Sequence, residues 1–119
     1  MSGEARIIQQ KMTPEEIQSL ADETFSGEMV KLVVDITDDK LAAGGGMHYE
    51  SETLLLEGGS RQEDLWGASY SPKQPEGQRV QYTSLINIRP AADNRSQEIQ
   101  SPDIRKRVKQ IIEKWMGPV

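Results

Sequence analysis

From Met29 to Thr37 apolar and polar positions alternate, with Val30, Leu32, Val34 and Ile36 on one side and Lys31, Val33, Asp35 and Thr37 on the other. A period of two over that length predicts a strand with one fully apolar side. Two other stretches run at helical spacing. Ile17, Leu20, Ala21, Thr24 and Phe25 form one stripe, and Ile104, Val108, Ile111, Ile112 and Trp115 form another. Each stripe is preceded by a hydroxyl residue and a proline, Thr13-Pro14 and Ser101-Pro102. That pairing marks a helix start, because the hydroxyl accepts from free first-turn amides and proline has no amide to satisfy. Gly27 and Gly117-Pro118 close the two helices.

The remaining segments are read as strands. Ala5–Gln9, with Ile7 and Ile8, predicts a short edge strand. After an Asp38-Asp39 turn, Lys40 onward is expected to return antiparallel through Leu41, Ala42, Ala43 and the glycine triplet to about Glu50. Thr53–Glu57 is expected as a third strand, and Gly58-Gly59 as a tight turn into a fourth at Gln62–Ser71. There Trp66, Ala68 and Tyr70 share a side. Pro72, Pro75 and Gly77 mark a loop. Val80, Tyr82, Ile86 and Ile88 predict the apolar side of a fifth strand, with Gln81, Thr83, Leu85, Asn87 and Arg89 opposite, ending at Pro90. Ala91–Gln100 is expected as a polar connector. The expectation is an α+β fold: a mainly antiparallel meander of five or six strands with an N-terminal and a C-terminal helix on its apolar face, leaving the other face open.

Length and composition narrow the class. The 119 residues predict one domain spanning residues 1–119, with loose ends at 1–4 and 117–119. Nineteen acids against fourteen bases give a net charge of −5, which disfavours a general nucleic-acid binder. The absence of cysteine excludes disulfides, thiolate metal sites and a cysteine nucleophile. No apolar run reaches the roughly 18 residues of a membrane span, and the first residues lack a signal-peptide pattern. The expectation is a cytoplasmic protein, monomer or homodimer, with no membrane partner.

Candidate chemistry gathers on the open face. His48 is the only histidine and the one side chain whose ordinary pKa lies near neutrality, so any general base starts there. The competing reading is a histidine hydrogen-bonded within the sheet. With Glu50 and Glu52 it offers one imidazole and two carboxylates, too few for an expected metal site, and no cofactor is expected. The triplet Gly44-Gly45-Gly46 offers amides for phosphate but lacks the spacing and lysine of a phosphate loop, so a bulge or a close approach to the main chain is the stronger expectation. Asn87, Arg89, Arg95, Asp35, Asp64 and Trp66 are the ligand-binding candidates. Arg89 and Arg95 suit a carboxylate or phosphate, while Arg89 also suits a structural pairing with Asp64 or Glu63. Leu85 and Val33 make the face partly apolar, as an interface or an apolar ligand requires. The basic run Arg105, Lys106, Arg107 and Lys109 reads as the solvated side of the last helix. Three functions are thereby open: a non-catalytic binding module for a protein or a small anion, a small hydrolase built on His48 with Arg89 or Arg95, and a nucleic-acid-associated regulator.

Five motifs in order carry a resemblance: VKLVVDI at 30–36, GGGMH at 44–48, QEDLWGA at 62–68, SLINIRP at 84–90 and NRS at 94–96. Together they resemble a small prokaryotic domain family of unknown function, from about Ile7 into the last helix. The resemblance implies a compact α+β domain and no assigned reaction.

Overall fold

The computed structural model describes residues 3–119. Five strands form one antiparallel sheet: β1 (Arg6–Ile7), β2 (Val30–Asp35), β3 (Lys40–Ala43), β4 (Leu65–Tyr70) and β5 (Val80–Gln81), in the order β1-β3-β2-β4-β5. Three helices accompany it: α1 (Pro14–Phe25), α2 (His48–Glu57) and α3 (Pro102–Met116). The α+β class, the antiparallel sheet and the two terminal helices agree with the sequence reading.

The alternation in β2 divides the molecule. Val30, Leu32 and Val34 point into the main core with Leu41, Trp66, Ala68 and Tyr70. Ile17, Leu20 and Ala21 of α1 and Val108, Ile111, Ile112 and Met116 of α3 close over them. Burial of such side chains contributes roughly 1.5–3 kcal/mol each. Thr13 caps α1: its hydroxyl accepts from the Glu16 amide at 3.1 Å, and Glu16 accepts from the Thr13 amide at 2.9 Å. Asp39 ties α3 to the β2–β3 turn, pairing with Arg107 at 3.1 Å and with Lys114, while its carbonyl accepts from the Trp115 indole at 3.0 Å. These pairs hold the Asp39 carboxyl below its ordinary pKa, the hydrogen bond from Lys114 foremost.

The other face departs from expectation. Residues 48–57 form α2 rather than the end of one strand and the whole of another. This helix lies across the face expected to be open, setting Leu55 against Val33, Ala42 and Leu65, with Ile7 and Ile86 at the margin. Strand-like Leu54-Leu55-Leu56 misled the pattern because α2 buries only Ser51 and Leu55, too narrow a stripe to register as a helix. Gly44 and Gly45, at φ +107° and +78°, turn the chain from β3 into α2. A Cβ on Gly44 would lie 2.7 Å from the Glu4 carbonyl oxygen, so the expected close approach to the main chain is present.

The fourth strand starts later than expected, after a single 3-10 turn at Gln62–Asp64. The fifth is far shorter, because Ser84 accepts from the Ile86 amide at 3.2 Å and starts another 3-10 turn at Leu85–Asn87. The proposed common apolar side is broken there: Tyr82 packs on the main core, Ile86 joins the α2 side and Ile88 is exposed. The C-terminal residues expected to be loose are held, since the Pro118 carbonyl accepts from the Tyr70 hydroxyl at 2.7 Å and the Val119 carbonyl from the Gly77 amide at 2.9 Å. At the other end Gly3 accepts from the Gly45 amide, and residues 1–2 lie outside the described ones.

Candidate functional site

Side chains on the outer side of β2 and β4 stand in three cross-strand pairs: Asp35 with Leu65, Val33 with Gly67 and Lys31 with Ser69. Each meets a different neighbour. At the first, Asp35 is fully buried, accepting from the Thr37 and Asp38 amides at 2.9 Å each and from the Ser60 hydroxyl at 2.6 Å. It fixes the turn after β2 and the chain leaving α2. At the second, Leu55 covers Val33, and Gly67 lets two side chains reach the sheet. A Cβ there would lie 2.6 Å from Ser84 Cβ and 3.2 Å from His48 Cδ2. Only the third pair faces a cavity.

Asn87 serves the same middle row. Its carboxamide accepts from the Gly67 amide at 2.8 Å and donates to the Gly67 carbonyl at 2.9 Å and the Gln97 carbonyl at 3.0 Å. One side chain thus stands in for the strand neighbour that β4 lacks once β5 has ended, satisfying backbone groups that would be costly to bury unpaired. Asn94, also buried, donates to the carbonyls of Asn87, Ser96 and Glu98 and accepts from the Gln100 amide, so it shapes the connector. Arg89 stacks on Trp66, its guanidinium carbon 4.4 Å from the ring centroid. It donates to the carbonyls of Ile86, Glu63 and Leu65. Its structural pairing is therefore with main-chain oxygens, and the Asp64 carboxylate instead meets Arg61 at 3.5 Å. Trp66 is buried in the main core. Arg95 is exposed on the connector.

His48 opens α2. One ring nitrogen, Nε2, lies 2.8 Å from the Ala68 carbonyl oxygen, so it carries the proton and donates. Burial lowers the ring's pKa below 6.5, helped by the Lys31 charge and opposed by the Ala68 bond. The imidazole is thereby neutral at neutral pH. Its Nε2–Cδ2 edge faces Ala68 and Gly67, which leaves Nδ1, an acceptor, on the edge turned from the sheet. The Ser84 hydroxyl oxygen accepts from the Ile86 amide and, among the described residues, no hydrogen bond joins it to the ring, so the two do not form a nucleophile–base pair. The glycine amides are not free for phosphate either: Gly44 donates to Lys31, Gly45 to Gly3, and Gly46 and Met47 to the Glu50 carboxylate at 3.0 Å each.

A cavity of ≈ 410 Å³ lies between the start of α2 and the 83–86 segment, over Lys31 and Ser69. Its polar lining comes from Lys31, His48, Ser69, Thr83, Ser84 and Gln97, and its apolar lining from Met47, Tyr49, Leu85 and Ile86. No acid lines it. Arg89 faces a neighbouring hollow with Glu52, Gln62, Glu63 and Ile88; Leu85 and Ile86 border both. The structure thus sets His48 and Arg89 in adjacent hollows, and gives Asp35, Asn87 and Trp66 fully buried positions. Sequence reasoning missed Met47, Tyr49, Ser69, Ser84 and Gln97 as lining residues. The alternation of β2 predicts Lys31 on this face, and the pattern of residues 80–89 predicts Leu85 there.

Among the described residues the large apolar side chains that stay exposed are Met47, Tyr49, Leu56, Leu85 and Ile88. All belong to α2, its N-cap or the 85–88 segment. On α3, Arg107 donates inward to the Ile36 carbonyl and Arg105 to the Ile99 carbonyl, so two of the four clustered bases serve the fold. No helix among the described residues is long and apolar enough to cross a membrane, and no group of three or more His, Cys, Asp or Glu among them is placed to hold a metal ion.

A family model described as "Protein of unknown function (DUF5674)" matches residues 6–115. No curated protein and no solved structure matches the chain.

Proposed function

The chain belongs to the DUF5674 family of proteins of unknown function, and we propose that it is a single-domain, non-catalytic binding protein whose site is the cleft between the α2 N-terminus and residues 83–86. One observation carries this reading. Met47 and Tyr49, each more than half exposed, and Leu85, at 67%, stand at the rim of a cavity with a polar floor. Exposed apolar groups gathered around a concave site with a few convergent polar ones are what a ligand site needs. A catalytic reading has less support, because His48 Nε2 is bound to a carbonyl, no acid lines the cleft and Arg89 is spent on main-chain oxygens. A second cavity of ≈ 540 Å³ lies between α1 and the C-terminus, but its apolar lining, including Ile17, Tyr70 and Met116, is buried core. A cytoplasmic, prokaryotic setting belongs to the same proposal, on the cysteine-free composition and the motif resemblance.

A neutral apolar probe tests the site. Titration with 1-hexanol, followed through backbone amide NMR shifts, is expected to move residues 47–49, 69, 83–86 and 97. The Met47→Ser/Leu85→Ser double variant, both positions being exposed, is expected to abolish those changes while keeping the rest of the spectrum. Shifts centred on Ile17, Tyr70 and Met116 instead, or none, would overturn the assignment.

A further inference from the structure

We infer that the cleft takes a small organic monocarboxylate, its apolar body held among Met47, Tyr49 and Leu85 and its carboxylate at the Lys31 ammonium. This rests on the cleft being the binding site and names what it binds.

Charge distribution is the first ground. The chain carries nineteen acids and a net charge of −5, yet none of the ten residues lining this cavity is acidic. Lys31 is its one cation. Among the described residues Lys31 makes no ion pair, in contrast to Lys73 and Lys114, which pair with Glu28 and Asp39. Its ammonium rests instead 5.1 Å from the centre of the Phe25 ring, a contact that holds the side chain without cancelling its charge. A lone cation beside an acid-free, partly apolar wall favours an anion.

The donor set limits which anion. A phosphate dianion calls for several converging donors, commonly arginine forks or a run of free amides. Here the nearby glycine-loop amides are taken by Glu50, Gly3 and the Lys31 carbonyl, and no arginine lines the cavity. The lining joins Lys31 to the neutral groups Ser69 and Gln97, and a single ammonium matches a single negative charge. His48, neutral and with its proton committed to Ala68, offers only an acceptor, so it suits a hydroxyl or amide on the ligand body rather than the carboxylate. The ≈ 410 Å³ volume falls in the small-molecule range of about 300–1,000 Å³, which favours a small molecule over a protein surface.

Three probes with one body and different heads decide it: hexanoate, 1-hexanol and hexylammonium, titrated at neutral pH and low salt with the amide shifts of residues 47–49 and 83–86 as readout. Hexanoate is expected to bind about tenfold more tightly than hexanol, the worth of one charge-assisted contact, and hexylammonium more weakly than hexanol. Lys31→Met keeps the unbranched stem and is expected to bring hexanoate down to the hexanol affinity without changing hexanol itself. Should that variant fail to fold, added salt gives the same information, weakening hexanoate and leaving hexanol unchanged. Equal binding of hexanoate and hexanol, or a hexanoate advantage insensitive both to Lys31→Met and to salt, would overturn the anion inference while leaving the cleft as a site. If no probe shifts these residues, the cleft reading fails and this inference with it.

Discussion

The two faces of the sheet are held by different means. Under α1 and α3, one continuous core contains eighteen buried apolar residues among those described, drawn from both helices and four strands or their flanks. On the α2 side the buried apolar cluster consists of Val33, Ala42, Leu55 and Leu65. The rest of that face is fastened by polar side chains bonded to groups distant in sequence: the Asp35 carboxylate accepts from the Ser60 hydroxyl, Asn87 bonds the Gly67 main chain and Arg89 donates to the Leu65 carbonyl. Apolar packing is non-directional and draws on many contacts at once, whereas a few directed bonds can hold a segment in place over a partly open surface. The cavity rimmed by exposed Met47, Tyr49 and Leu85 opens on the second face, where such bonds dominate.

Core truncation should break the comparison most sharply. Ile111 and Leu55 are both fully buried, and Ile→Ala or Leu→Ala changes in cores cost about 2–5 kcal/mol. Ile111→Ala is expected toward the upper end of that range and to lower hydrogen-exchange protection in the sheet, α1 and α3 together. Leu55→Ala is expected toward the lower end, with protection lost first in residues 48–57 while α1 and α3 keep theirs, because little else apolar holds α2 down. Denaturant melts with residue-resolved exchange check both; uniform loss in the Leu55 variant would show that the faces fold as one unit.

That contrast also explains what could be read in advance. The face under α1 and α3 is written in periods of two and of three to four, so Val30–Ile36, Ile17–Phe25 and Ile104–Trp115 disclosed it locally. The α2 face is written in bonds between residues 20 to 25 apart in sequence, and no local pattern reveals a partner that far away. His48–Glu57 is rich in leucine and glutamate, good helix formers, and is followed by Gly58-Gly59; propensity was the available signal for α2, and the narrow buried stripe hid it. Asn87 and Arg89 read as polar groups on the outward side of the predicted fifth strand, opposite its apolar residues. Their chemistry is real, but it is directed at the protein's own backbone.

Asn87 sharpens the comparison at a middle scale. Asn87→Ala leaves the buried Gly67 amide and carbonyl without their side-chain partner, and each orphaned group costs about 1–3 kcal/mol. The loss is expected within a few kcal/mol, below that of Ile111→Ala. Asn87→Asp separates the two bonds: it keeps an acceptor for the Gly67 amide but sets a carboxylate oxygen against the Gly67 carbonyl, 2.9 Å from the present donor. It should therefore be no more stable than Asn87→Ala. Chemical denaturation of both variants is the measurement, and an Asn87→Ala loss near zero would remove the strand-substitute role.

The smallest effect belongs to His48 and concerns pH. Burial, the main cause, and the Lys31 charge hold its folded-state pKa below 6.5, so the unfolded chain takes up this proton first as pH falls. Its contribution to stability is whole above about pH 6.5 and is lost as pH drops from there through the folded-state pKa. This is the only histidine, and it sits on the α2 side, so a fall in stability just below pH 6.5, before the carboxylates titrate, reports that face alone. Urea melts between pH 7.5 and 5 are expected to show the fall in the wild type and not in His48→Gln, whose amide can still donate to Ala68. Lys31→Met should leave most of the slope, since burial outweighs the lysine. If instead it flattens the slope as fully as His48→Gln, charge rather than burial governs the ring, and the Lys31 ammonium lies nearer His48 than Phe25.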